Sequence, residues 1–134
     1  MSSKDLVRNF YQSDLAKDDA IMDYFHKDCE LNWNSSKGFS KLDYKGVEHM
    51  LNGVQKSYLS FKFRVSHLLE DNNFVTSRYT IYATTIERPD KEDAIAHFIT
   101  IWEVKDNKLY KGFETSQLAD VSSESLNSYA EIKV

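Results

Sequence analysis

The chain has one cysteine, one proline and four glycines among its 134 residues. A lone cysteine, Cys29, closes no internal disulfide, so nothing here asks for an oxidising compartment. Lysine and arginine number 17 against 21 acidic residues, giving a net charge of −4, and the basic residues form no block. That argues against a surface built to hold nucleic-acid phosphates. No apolar run approaches the roughly 18 residues of a membrane-spanning helix. Met1 to Asn9 is polar and mixed in charge, unlike a signal peptide. The expectation is a soluble, cytoplasmic protein with neither a nucleic-acid nor a membrane partner. His26, His49, His67 and His97 form no HxH or HxxxH pair, so a metal site has no local support. A Gly-x-Ser-x-Gly elbow, a phosphate loop and a dinucleotide fingerprint are also missing, and no cofactor is expected.

What the chain does have is aromatic bulk. Eight Phe, eight Tyr and two Trp suffice for a heavy core, a lined pocket, or both. The length suits one domain, expected over residues 1–120, with a polar tail over 121–134 whose serine-rich stretch from Val121 to Ser128 is expected to be loose. Ser2 and Asp5 have the spacing of a capping box, and Leu6, Val7, Phe10, Tyr11 and Leu15 continue as a helical stripe. Asp18 or Asp19 is placed to cap a second helix carrying Ile21, Met22, Tyr24 and Phe25. Cys29 to Trp33 alternates as a short strand, and 34–39 reads as a polar loop. Gly46 opens a third helix through Val47, Met50, Leu51, Val54 and Tyr58, where Gly53 hints at close backbone packing. From Phe61 the period becomes two, with pauses at 71–73, 88–90 and 106–107. Strands this long must twist and curl. Helices followed by an antiparallel meander make the expected class α+β, with about three N-terminal helices on a strongly curved sheet.

The order of these elements resembles the nuclear transport factor 2-like superfamily, in its SnoaL-like and ketosteroid isomerase-like branch. Phe10-Tyr11, the stretch from Asp18 to Phe25, Tyr44-Lys45-Gly46-Val47-Glu48, and His97 to Trp102 followed by Asn107-Lys108-Leu109 carry the resemblance. It spans roughly Leu6 to Asp120. It implies a cone-shaped barrel with a mostly apolar pocket, commonly in a homodimer through the outer sheet face. It turns His97, Ile99, Ile101 and Glu103 toward the pocket, and Phe98, Thr100 and Trp102 outward toward a partner subunit.

The resemblance implies less about chemistry. Ketosteroid isomerisation needs a carboxylate base and an oxyanion site built from a tyrosine and a protonated aspartic acid, a system used as a standard example of pKa tuning. The base position reads Trp33, the aspartate falls at Ile99 or Ile101, and the tyrosine position falls on Phe10 or Tyr11. That chemistry is therefore not expected. The acid of SnoaL-type cyclases falls at Gln117, which is no general acid, with Asp120 beyond it. Two ionisable residues remain, His97 and Glu114, with Tyr11 as a third catalytic candidate.

Three readings follow. One is a dimeric cone binding a small apolar or partly polar organic molecule, lined by Phe10, Tyr11, Trp33, Val54, Tyr79, His97, Ile99, Ile101, Glu114 and Gln117. A second is an isomerase, dehydratase or cyclase using a His97–Glu114 acid/base pair. The third is a non-catalytic dimerisation or adaptor module, its interior filled by its own aromatics.

Overall fold

The computed structural model describes residues 2–130. Helix α1 spans Ser3–Tyr11 and opens with the expected capping box, Ser2 Oγ accepting the Asp5 N–H at 3.0 Å. Its apolar stripe, Leu6, Val7, Phe10 and Tyr11, is buried. The second helix does not form. Only one 3-10 turn, Ile21–Tyr24, precedes strand β1 at Phe25–Ser35. The Asp18 carboxylate takes the Ala20 N–H two residues on, and Asp14 does the same for Ala16. Such local bonds compete with helix formation. Phe25 is already extended and pairs with Leu109. The polar loop expected at 34–39 contains a tight turn into strand β2, Gly38–Leu42.

Helix α2, Tyr44–Ser57, is capped by Asp43, whose Oδ1 accepts the Gly46 N–H at 2.9 Å. A Cβ at Gly53 would meet nothing within 4 Å, so the close packing expected there is absent. Four long strands complete the domain: β3 Tyr58–Asp71, β4 Phe74–Thr85, β5 Asp93–Lys105 and β6 Lys108–Leu118. Asn72, Asp106 and Asn107 adopt positive φ at two of the expected pauses, a conformation these residues tolerate in tight hairpins. The six strands form one open sheet in the order β2-β1-β6-β5-β4-β3, parallel only between β1 and β6. The fold is α+β with a mixed sheet, consistent with the cone fold.

Helix α1 lies against β3 and β4, and α2 against β1 and β3, covering one face of the sheet. The core is on that inner face, and β5 presents the opposite parity to it from the one expected. Phe98, Thr100 and Trp102 are 8%, 0% and 3% exposed, whereas Ile99 and Ile101 are 51% and 41% exposed. Ile99 and Ile101 thus stand on the outer face. A one-residue change of strand register exchanges every side chain between faces. The alignment to the family missed that parity, and inward burial goes to the run without charge, Phe98-Thr100-Trp102-Val104.

The tail is not loose either. Ser123–Ser128 forms a short helix, α3, capped by Ser122. Residues 131–134 of the expected tail lie outside the described residues.

Candidate functional site

Strand alternation on β4, β5 and β6 delivers two hydroxyls and one carboxyl to a single place on the inner face. Thr100 and Glu114 are direct cross-strand partners, and Tyr79 comes from the neighbouring strand. Glu114 Oε1 accepts hydrogen bonds from the Tyr79 hydroxyl and the Thr100 hydroxyl, both at 3.1 Å. The two hydroxyl oxygens are themselves 2.9 Å apart. Both donors converge on one carboxyl oxygen, and no described residue bonds Oε2.

Aromatic rings frame this carboxyl. Tyr79 stacks on Phe98 with centroids 5.2 Å apart and planes 2° from parallel, and Trp33 lies over the far side of Phe98 at 6.3 Å. Trp33 Nε1 donates to Ser116 Oγ at 2.8 Å, which fixes the indole beside Glu114. Burial in these surroundings raises the Glu114 carboxyl to about 7, against the opposing pull of its bonds to Tyr79 and Thr100. Its proton thus comes and goes near neutral pH, the condition a general acid or base needs. Burial pushes the Tyr79 hydroxyl well above its ordinary range, and the nearby Glu114 charge adds to the shift. Tyr79 therefore remains a donor when Glu114 is ionised.

A second polar chain runs deeper. Trp102 Nε1 donates to the Tyr11 hydroxyl at 3.0 Å, Tyr11 lies 2.6 Å from Ser77 Oγ, and Ser77 donates to the Thr100 carbonyl at 3.1 Å. Because Ser77 spends its proton on that carbonyl, Tyr11 is the donor in the Tyr11–Ser77 bond. Every buried hydroxyl in this chain is satisfied, which locks β4, β5 and α1 together. Of Phe10 and Tyr11, it is Tyr11 that reaches the polar network, while Phe10 packs among rings that include Tyr24, Phe25 and Phe63. Burial also raises the Tyr11 hydroxyl, so it too stays protonated.

The expected pocket set divides between the faces. Phe10, Tyr11, Trp33, Tyr79 and Glu114 belong to the inner side, and Val54 is half-buried on α2 and packs against the core. Ile99, Ile101 and Gln117 stand outside, where Gln117 is the cross-strand partner of His97. His97 is on the outer face as well, yet only 3% exposed, because the C-terminal segment covers it. His97 and Glu114 thus point to opposite sides of the sheet and share no reacting atom, so the proposed acid/base pair is not assembled. Its two members sit on adjacent strands, but alternation separates them. Thr100 and Ser77, the polar partners that complete the inner site, were not among the expected residues. Their signal was available as small hydroxyl residues at alternate positions of otherwise apolar strands.

The other titratable groups are occupied structurally. His26 Nδ1 accepts the Asp28 N–H, which leaves Nε2 to donate to Asp106 at 3.1 Å. The Cys29 thiol is raised by burial to about 11, so it is a packed hydrophobe and not a nucleophile. Among the described residues no group of three His, Cys, Asp or Glu side chains is arranged to hold a metal ion. No described helix is long and apolar enough to cross a membrane.

Comparison with known proteins agrees with this architecture. A family model described as a SnoaL-like domain matches residues 7–111. Among solved structures, AusH from Aspergillus nidulans is similar with a TM-score of 0.71 at 12% identity, over 98% of this chain and 90% of that one. IdmH from Streptomyces antibioticus, proposed to be a polyketide cyclase, gives 0.68 at 12% identity over 96% and 98%. A phenazine biosynthesis-related protein from Pseudomonas aeruginosa gives 0.65 at 11% identity over 98% and 82%. No curated protein matches the chain. At such identities the structural likeness carries the fold and no residue roles.

Proposed function

The chain belongs to the SnoaL-like domain family, within the nuclear transport factor 2-like superfamily, and from that premise we propose that it binds a small, largely apolar molecule against the concave face of its sheet. The observation that carries this reading is the Glu114 carboxyl, anchored through Oε1 and with no described residue bonded at Oε2. A half-buried acid among aromatic rings is a costly arrangement for stability alone. It gains a use if Oε2 meets a polar atom of a ligand whose apolar body covers Trp33, which is itself half-buried against the core. Few polar groups set into an apolar wall are the usual composition of a small-molecule site. A protonated Oε2 donates, so the favoured ligand carries a carbonyl-type acceptor and no charge.

Thermal-shift and calorimetric titration with a planar aromatic ketone such as 2-acetonaphthone tests this. Binding is expected at pH 6, weakening above pH 7 as Glu114 ionises. Glu114→Ala should reduce affinity about tenfold, the scale of one lost hydrogen bond to a polar site, and His97→Ala should not. Absence of binding by any apolar carbonyl compound, or binding indifferent to Glu114, overturns the proposal.

A second reading, isomerase, dehydratase or cyclase chemistry, is favoured by the Glu114 carboxyl titrating near 7. It would use Glu114 as the sole acid or base, with Tyr79 and Thr100 positioning it and His97 taking no part. A third concerns assembly. The outer face carries a groove of about 400 Å³ lined in part by Phe39, Ile99, Ile101 and Phe113. We propose that a homodimer forms through this face, using these residues in place of Phe98, Thr100 and Trp102. A monomeric mass by light scattering at micromolar concentration counts against it. The cytoplasm remains the proposed location.

A further inference from the structure

The outer face of β4 and β5 is occupied by the chain's own C-terminal segment, and its fastening is concentrated on two side chains. The Tyr129 ring lies flat on the His97 imidazole, centroids 4.3 Å apart and 7° from parallel. The Arg78 guanidinium sits over the Tyr129 ring at 3.6 Å. Arg78 also donates to Ser66 Oγ at 2.9 Å and to the Ser128 carbonyl and hydroxyl, both at 3.3 Å. Underneath, His97 Nε2 accepts the Asp120 N–H at 3.2 Å and lies 3.4 Å from Ser125 Oγ. An acceptor at Nε2 means that the ring proton is on Nδ1, donated to Thr80 Oγ1 at 2.8 Å. The docked segment therefore requires a neutral imidazole in one tautomer.

We infer that the segment from Ala119 to Ala130 is a pH-sensitive latch on the outer sheet face, pinned by neutral His97 and released when His97 takes up a proton. Histidine is the side chain whose charge ordinarily changes between pH 5 and 8. A proton at Nε2 removes the lone pair that holds the Asp120 N–H and sets two N–H groups against each other. The surroundings are mostly unable to compensate. From β4, Thr80 is neutral and Arg78 is a second cation across the Tyr129 ring; from β6, the cross-strand partner Gln117 is neutral. From the latch itself, Ser125 and Tyr129 are neutral, and Asp120 and Glu124 are anionic, with Asp120 the one bonded to the His97 ring through its backbone. The Asp120 carboxylate accepts the Ser122 N–H at 2.9 Å, the main cause of its lowered pKa, with attraction to the His97 ring a smaller one. Loss of the Asp120 bond therefore favours release; the six-residue helix buries no residue of its own, and the described contacts that remain are those of Arg78 with Tyr129 and Ser128 and the Ala119 N–H bond to the Ile95 carbonyl. Opening uncovers Arg78, Thr80 and His97 beside exposed Ile99 on the same face.

Hydrogen-exchange mass spectrometry on the full chain, with intrinsic rates corrected for pH, reads the latch directly. Protection of 119–130 is expected to fall about tenfold between pH 7.5 and pH 5.5, the span over which imidazole charges, while α1 stays protected. Tyr129→Ala sets the released baseline, and His97→Gln, which keeps an acceptor but cannot titrate, should show no pH step. Unchanged protection in the natural chain overturns the proposal. So does a rise at low pH, which would mean that Asp120 pairs with the imidazolium, or a fall that His97→Gln shares. If His97→Gln already sits at the released baseline, the natural chain decides by NMR. The His97 and Tyr129 ring signals must then titrate with one midpoint, and separate midpoints overturn the latch.

Discussion

Strand β5 has two sides with opposite characters. Its inner side, Phe98, Thr100, Trp102 and Val104, is covered by helices and carries a hydrogen-bonded network ending at Glu114. Its outer side holds one buried histidine under a small cover and two isoleucines open to solvent. The same thirteen residues thus supply a rigid wall and an adaptable surface. A buried polar network tolerates little change, whereas a surface held by one stack and a few bonds can be rearranged at small cost.

The contrast can be broken most forcefully at Trp102. Trp102→Ala is expected to destabilise the fold by about 3–5 kcal/mol, as large aromatic truncations in cores do, and it strands the Tyr11 hydroxyl without its donor. Chemical denaturation measures this, and a loss below about 1 kcal/mol, typical of surface sites, would contradict the inner assignment.

Glu114 comes next, through pH. Its carboxyl moves from an ordinary 4.5 to about 7 on folding. An acid with a raised folded pKa binds more protons folded than unfolded in that window. Stability contributed by the neutral form is therefore full below about 4.5 and falls as pH rises through 7, by up to about 3 kcal/mol. Glu114→Gln should flatten this part of the stability profile and be the more stable chain at pH 8. A profile that is the same in both chains rejects the buried acid.

Gly112 sharpens the packing argument. A Cβ there would lie 2.6 Å from Trp102 Cζ3 and 2.7 Å from Leu31 Cδ1. Gly112→Ala should cost about 1–3 kcal/mol by overpacking, readable as a lower melting temperature. At the small end, Ile101→Ser on the outer face should change monomer stability by no more than about 0.5 kcal/mol. If the face is a dimer interface, the same substitution lowers the mass seen by light scattering.

Much of the architecture was legible beforehand. Period-two alternation, the pauses at 71–73 and 106–107, the capping box at Ser2 and the amphipathic stripe of α1 all came through, because each is a local pattern with a local cause. The misses share a different origin. The segment after Asp18 has helical spacing, but pairing of Phe25 with Leu109 draws it into the sheet. The face of β5 was assigned by alignment to a family, and parity is the quantity such alignment protects least. A charge-free run against one containing His97 and Glu103 was the better guide. The polar tail looked loose by composition, yet Tyr129 finds a slot between Arg78 and His97 that composition does not reveal.

By itself the sequence determined the first helix, the long strands and the α+β class, since these follow from periodicity and turn chemistry. Only the tertiary structure decided which face each strand buries and which residues meet. Strand neighbours such as Thr100 and Glu114 lie far apart in sequence, and one residue of register changes inside to outside. That is why His97 and Glu114, paired as candidates from sequence, turned out to serve opposite sides of one sheet.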